Sequence, residues 1–173
     1  GKNPAPILVE IDPSNACNHG CYFCISSYIH LPESKHLETY NKSIMKKEIL
    51  MKTCESFVNM GVRAVNWTGG GEPTVNPNLK EAIEYLGKNS IKMGMFTNGT
   101  LFDKFNLFDT LVDNMTWVRI SIDAGTPETY NKVRRTKDNQ GWDKMISNLE
   151  KLIECNNVKN KKFIKQIRSI PEN

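Results

Sequence analysis

With 173 residues, 39% of them apolar and 24% charged, the chain is long enough for one domain with a real core and too apolar to be disordered. No apolar run approaches the ~20 residues of a membrane span, and the polar start from Gly1 to Pro6 carries no secretory signal. The net charge of +4 sits in the tail, where Lys159, Lys161, Lys162, Lys165 and Arg168 face only Glu172, so the remainder of the chain is neutral overall.

In chain order, Ile7 to Ile11 reads as a short strand ended by Asp12-Pro13. A cysteine-bearing loop follows, then a polar loop over 26–43. Ser43 is a predicted N-cap for a helix from Met45 to Met60, with Ile49, Leu50, Cys54, Phe57 and Val58 as its stripe and Gly61 as its C-cap. Arg63 to Trp67 is the second strand and runs into Thr68-Gly69-Gly70-Gly71-Glu72-Pro73. Asn76-Pro77 predicts an N-cap with proline at the first helical position, followed by Leu79, Ala82, Ile83 and Leu86 on one face. Ile91 to Thr97 is the third strand, closed by Asn98-Gly99. Leu101, Phe105, Phe108, Val112 and Met115 mark the next helix. Trp117 to Ile122 is the fourth strand, ending at Asp123-Ala124-Gly125, and Thr126-Pro127-Glu128 opens a helix through about Arg135. Trp142, Met145, Ile146, Leu149, Leu152 and Ile153 form the last amphipathic helix, and the tail offers one more strand over Phe163 to Ile170.

Strand and helix alternate throughout, which implies an α/β fold with parallel strands and helical crossovers. An open doubly wound sheet and a closed or partly closed βα barrel both satisfy this alternation. Both place the loops that follow strands at one face, so the cysteine loop, TGGGEPT, TNG and SIDAG should share a rim. About four to five βα units are present, short of a closed barrel. This predicts a fragment, or a minimal barrel left open on one side; Gly1 in place of Met likewise reads as a cut or processed start. The expected division is a core over 1–156 and a basic C-terminal segment over 157–173, serving as a truncated fifth strand or a tail.

Three of the five cysteines, Cys17, Cys21 and Cys24, are bunched as C-x3-C-x2-C. A secreted disulfide framework would spread its cysteines, so the bunching favours a reducing compartment, the cytoplasm, and a metal site. Thiolates suit zinc or iron–sulfur clusters. Zinc would need a fourth ligand, which His19 could supply, giving a non-catalytic Cys3His module. Three thiolates could instead bind three irons of a cubane and leave the fourth iron open to a chelating molecule. The glycine-rich turn is followed by no Gly-Lys-Ser/Thr and contains no G-x-G-x-x-G, so it matches neither phosphate-loop nor dinucleotide patterns. A nucleic-acid arm is disfavoured for the tail, because only Phe163 interleaves with its charges. Cys54 lies on an apolar stripe and reads as buried; Cys155 falls off its stripe and reads as a surface thiol; His30 and His36 read as exposed loop residues.

Cys17-Asn18-His19-Gly20-Cys21-Tyr22-Phe23-Cys24 resembles the C-x3-C-x-aromatic-C signature of the radical S-adenosylmethionine (radical SAM) superfamily. The resemblance continues through Gly70-Gly71-Glu72-Pro73, Thr97-Asn98-Gly99 and Ser121-Ile122-Asp123 and covers about residues 7 to 155. It implies a partial (βα)-repeat barrel of the radical SAM type. It also implies that Cys17, Cys21 and Cys24 ligate a [4Fe–4S] cluster whose fourth iron is chelated by S-adenosylmethionine. Reductive cleavage would then give methionine and a 5′-deoxyadenosyl radical that abstracts hydrogen from substrate. For the cofactor the resemblance implies Phe23 near adenine, Gly70, Gly71 and Glu72 at the methionine amino end, Asn98 on the pocket floor, and Ser121 and Asp123 at the ribose or carboxylate. Arg134, or its neighbour Arg135, would meet the cofactor carboxylate. A low-potential donor such as a flavodoxin or ferredoxin is the implied partner, with a peptide, nucleotide or small molecule as substrate. The SIDAGTPETYNKVR stretch is closest to subgroups with SPASM-like relatives, whose C-terminal cysteine clusters are not found here.

Overall fold

The computed structural model describes residues 4–26, 43–136 and 138–160 together with the backbone of 164–168. His30, His36 and most of the loop predicted over 26–43 lie outside the described residues. Five parallel strands form one sheet: β1 (Leu8–Ile11), β2 (Ala64–Trp67), β3 (Lys92–Thr97), β4 (Trp117–Ser121) and β5 (Ile164–Arg168). Their spatial order is their chain order. A doubly wound sheet reverses its strand order at a switch point; a barrel segment does not. The unbroken order therefore selects the partial barrel over the open doubly wound sheet. In register, Ile11 lies beside Trp67, Trp67 beside Met95, Thr97 beside Ile120, and Ser121 beside Arg168. The strand ends are thus aligned, and the loops that follow them emerge together.

The crossovers are α1 (Lys47–Met60), α2 (Leu79–Lys88), α3 (Phe108–Asn114), α4 (Pro127–Arg134) and α5 (Gly141–Val158). Neighbouring helices pack in series, α1 on α2, α2 on α3, α3 on α5 and α4 on α5. Between helices and sheet lies one core, with Leu50, Trp67, Leu79, Ile83, Leu86, Met95 and Met145 fully enclosed. Each such side chain contributes ~1.5–3 kcal/mol on burial. Cys54 is enclosed with them, as its stripe predicts.

Several boundaries differ from the sequence reading for identifiable reasons. Ser43 is not the cap of α1; the Ser14–Ile44 bridge holds that segment extended, and Lys46 takes the cap position without a side-chain bond. Ile49 faces water rather than the core. Asn76 closes a 3-10 turn over Pro73–Val75, and its Oδ1 accepts from the Asn78 amide, so α2 starts two residues beyond Pro77. The helix expected from Leu101 begins only at Phe108, because Phe102 plunges into the core and Asn106 adopts a left-handed φ of 49°. Cys155 is half-buried against the core and lies 3.6 Å from Asp109, rather than being a free surface thiol. The division drawn at 156/157 falls inside α5, and the strand beyond it joins the same sheet.

Candidate functional site

The loops after β1, β2, β3 and β4 enclose a cavity of about 510 Å³. Cys17, Cys21 and Cys24 line it, with Phe23, Gly70, Gly71, Glu72, Asn98, Ser121 and Arg134. Of the residues singled out from sequence, only Asp123 is missing from the wall. Thr68, Phe96, Thr97 and Arg135 also line it.

The cysteine loop is anchored at both ends and in its middle. Asp12 accepts from the Gly70 amide at 3.2 Å, and the Ala16 carbonyl accepts from the Glu72 amide at 2.9 Å. Asn18 donates to Thr100 Oγ1 at 2.8 Å and accepts from Asn98 Nδ2 at 2.8 Å. Beyond it, the Gly20 amide donates to the Arg134 carbonyl at 3.1 Å and the Tyr22 amide to the Val133 carbonyl at 3.3 Å, so the C-terminus of α4 holds the second half of the loop. Burial pushes the Cys17 thiol up to about 12 and the Cys21 thiol up as well, the latter opposed by the Arg134 guanidinium beside it. A metal bound here displaces protons from both.

Gly71 owes its identity to the close approach of this loop. A Cβ there would lie 2.2 Å from the Ala16 carbonyl oxygen, well inside contact distance. Glu72 beside it is 3% exposed, and its carboxylate is held from four directions. Oε1 accepts from the Thr74 amide at 3.1 Å, from Thr74 Oγ1 at 2.6 Å and from Thr97 Oγ1 at 2.6 Å; Oε2 accepts from the Asn98 amide at 2.7 Å. Desolvation raises its pKa against these donors. Glu72 therefore ties the turn after β2 to the end of β3, and Oε2, with one donor against three at Oε1, keeps the unused acceptor capacity. Asn98 serves its own turn and Asn18, its Oδ1 accepting from the Thr100 amide at 3.0 Å and hydroxyl at 2.7 Å.

Asp123, at a left-handed φ of 56°, turns from the cavity and pairs with Arg134. Arg134 is 6% exposed; it also donates to the Ser121 carbonyl at 2.7 Å and to Cys21 Sγ at 3.4 Å. Arg135 is exposed and stands on the cavity wall. Phe23 remains 42% exposed with the Arg134 guanidinium 5.6 Å from its ring centroid. His19 packs edge-on to Tyr130 at 6.0 Å, and burial with Arg134 nearby lowers its pKa to about 4. Sequence reasoning missed Asn18 and Asn148, whose Nδ2 donates to the Gly99 carbonyl at 2.9 Å. A polar residue three positions after Met145, on the buried stripe of α5, was the available signal for Asn148.

Residues 11–163 match the model of the radical SAM superfamily. The chain belongs to that superfamily. Among radical SAM relatives, it is 31% identical over 139 residues to a protein named probable GTP 3′,8-cyclase from Methanococcus maripaludis, covering 77% of this chain and 41% of that one. It is 25% identical over 153 residues to molybdenum cofactor biosynthesis protein 1 of Dictyostelium discoideum, covering 87% of this chain and 22% of the relative. The chain thus spans less than half the length of these curated relatives. Among solved structures, Streptococcus suis SuiB bound to S-adenosylmethionine superposes with a TM-score of 0.68 at 17% identity, over 98% of this chain and 36% of SuiB. BtrN in complex with AdoMet and 2-DOIA gives a TM-score of 0.57 at 14% identity, over 96% of this chain and 58% of BtrN.

Members of the radical SAM superfamily use a [4Fe–4S] cluster and S-adenosylmethionine. The donor chemistry here fits the cluster: three cysteines on one loop line a cavity of about 510 Å³. It fits a zinc ion poorly. Zinc needs four ligands around one point, and the fourth would have to be His19. His19 is turned to Tyr130 instead. No described helix is long and apolar enough to cross a membrane.

Proposed function

We propose that the chain is the cofactor-binding core of a radical SAM enzyme, in which Cys17, Cys21 and Cys24 hold a [4Fe–4S] cluster and the cavity beside them receives S-adenosylmethionine. The observation that carries this reading is that Cys17, Cys21 and Cys24 line one cavity together with residues at the ends of β2, β3 and β4. When bound and reduced, the cluster supplies the electron that splits S-adenosylmethionine to methionine and a 5′-deoxyadenosyl radical able to take hydrogen from a substrate.

The chain's own groups have separable tasks in this proposal. The turn over Gly69 to Glu72 presents backbone and the less occupied Oε2 of Glu72 to the methionine ammonium. Ser121, on the cavity wall at the end of β4, meets the ribose or carboxylate. Arg135 pairs with the cofactor carboxylate, in preference to Arg134, because it is exposed on the wall while the Arg134 guanidinium is engaged on three sides. Phe23 covers the adenine side of the cavity. A low-potential flavodoxin or ferredoxin in the cytoplasm is the proposed electron donor. Because curated relatives are named GTP 3′,8-cyclases, a purine nucleoside triphosphate is the first substrate to offer.

The test is anaerobic reconstitution with iron and sulfide, followed by S-adenosylmethionine and a strong reductant. About four irons and four sulfides per chain and release of 5′-deoxyadenosine are expected. Colourless protein holding stoichiometric zinc would instead establish the Cys3His module. A Cys21→Ala chain serves as the control that makes neither cluster nor 5′-deoxyadenosine.

A further inference from the structure

Three of the four buried polar atoms that lack a hydrogen-bond partner among the described residues cluster under the cysteine loop: His19 Nδ1, Tyr130 Oη and Arg134 Nε. Arg134 stands at the centre of this group, with Tyr130 5.9 Å and Phe23 5.6 Å from its guanidinium carbon. One end of the guanidinium is committed, through Nη2, to the Ser121 carbonyl and to Asp123. The other end, Nη1, donates to Cys21 Sγ at 3.4 Å. So a buried cation with a spare N–H touches one of the three predicted cluster ligands, and a buried carboxylate on its far side offsets part of its charge.

We propose that Arg134 sets the reduction potential of the cluster through Cys21, with Asp123 as the opposing control. The proposal rests on the reading that Cys17, Cys21 and Cys24 hold a [4Fe–4S] cluster. Adding one electron makes the cluster and its thiolates more negative. A positive group that donates to a ligand sulfur favours that reduced state and raises the potential. The interaction is strong here because Arg134 and Asp123 are 6% and 8% exposed, so water screens little of it. Asp123 acts in the opposite sense, drawing the guanidinium's field back from the sulfur. Arg134 is thus a positioning and tuning residue: its backbone carbonyl holds Gly20 while its side chain holds Cys21.

A purely structural role for this pair predicts that removing either partner does the same kind of damage. A tuning role predicts opposite signs. The experiment is a redox titration of the reconstituted full chain, without S-adenosylmethionine or substrate, followed by the electron paramagnetic resonance signal of the reduced cluster. Arg134→Gln should make the cluster about tenfold harder to reduce at a given potential, a midpoint ~59 mV more negative for a one-electron couple. Asp123→Asn should move the midpoint the other way, and the double variant should fall between the two. Equal shifts of one sign, or no shift in either variant at normal iron content, overturn the proposal. Asp123→Asn keeps the guanidinium and its bonds to Ser121 and Cys21, so it decides the matter even where Arg134→Gln does not fold: an unchanged or lowered midpoint in that variant overturns the tuning role. A wild-type chain that assembles no four-iron cluster overturns the functional reading, and this proposal with it, whereas a normal cluster whose potential ignores both substitutions overturns this proposal alone.

Discussion

At the scale of single residues, the cysteines were legible because their spacing alone defines a chelating loop. The task of Glu72 was legible only in part. Sequence places it in a glycine-rich turn fit for an ammonium group, but its partners Thr97 and Asn98 lie on another strand end, and that pairing cannot be read along the chain. The structure makes Glu72 a cross-brace as well as a candidate ligand. Glu72→Gln would turn an amide N–H2 toward donors that now meet an oxygen, at a cost of ~1–3 kcal/mol. Urea denaturation of the apoprotein should show that loss, and S-adenosylmethionine affinity should fall with it; an unchanged urea midpoint would remove the bracing role. Arg135 makes the converse case. It carries no brace, so Arg135→Gln should leave stability and iron content intact while weakening S-adenosylmethionine binding by about tenfold, as one charge-assisted hydrogen bond is lost. Calorimetric titration of the reconstituted protein checks this, and an affinity equal to wild type would return the carboxylate role to another residue.

At the scale of elements, the buried stripe of α2 (Leu79, Ala82, Ile83 and Leu86) and the start of α4 at the Thr126 cap with Pro127 behind it were legible, whereas the start of α2 was not, because Asn76 closes a 3-10 turn instead. Nor was helix α3, since Leu101 and Phe105 continue its apolar period yet lie in a turn, from which their off-stripe neighbour Phe102 enters the core. On α1, Cys54 sits between Leu50 and Phe57 with no exposure, and burial pushes its thiol from 9.0 to about 11. The folded chain therefore keeps this proton to higher pH than the unfolded chain does. The associated stability is complete below about pH 9 and is lost as pH rises through about 11, a range worth ~2–3 kcal/mol. Cys54→Ala should cost ~1–2 kcal/mol at neutral pH through lost packing. The gap to wild type should then narrow or reverse by pH 11. Urea midpoints of both proteins under reductant, from pH 7.5 to 11, give the difference directly; parallel curves would show that the thiol does not titrate as its burial requires.

For the molecule as a whole, alternation of strands and helices gave parallel pairing, but it left open whether the sheet reverses or curls. Strand order is a property of long-range packing, and here the sequential order resolves it. The same order explains how one loop can govern the whole rim. The cysteine loop is hydrogen-bonded to the turn after β2, to the turn after β3 and to the end of α4, while Asn148 ties the Gly99 carbonyl to α5. A group that binds this loop therefore acts on contacts that unfold with the core. Were the loop an independent flap, cluster binding would order it locally and leave the global transition where it was. Because the loop is bonded to several elements, binding should stabilise the folded state as a unit. We expect the reconstituted protein to be more stable than the apoprotein by at least ~3 kcal/mol, which for a chain of this size is ~6–12 °C in Tm. Anaerobic thermal denaturation followed by far-ultraviolet circular dichroism tests this, with chelation of the iron expected to return the transition to the apoprotein value. Coincident transitions for the two forms would mean that the loop opens without the core, and that the hydrogen bonds linking Ala16, Asn18 and Gly20 to their partners do not couple the site to the fold.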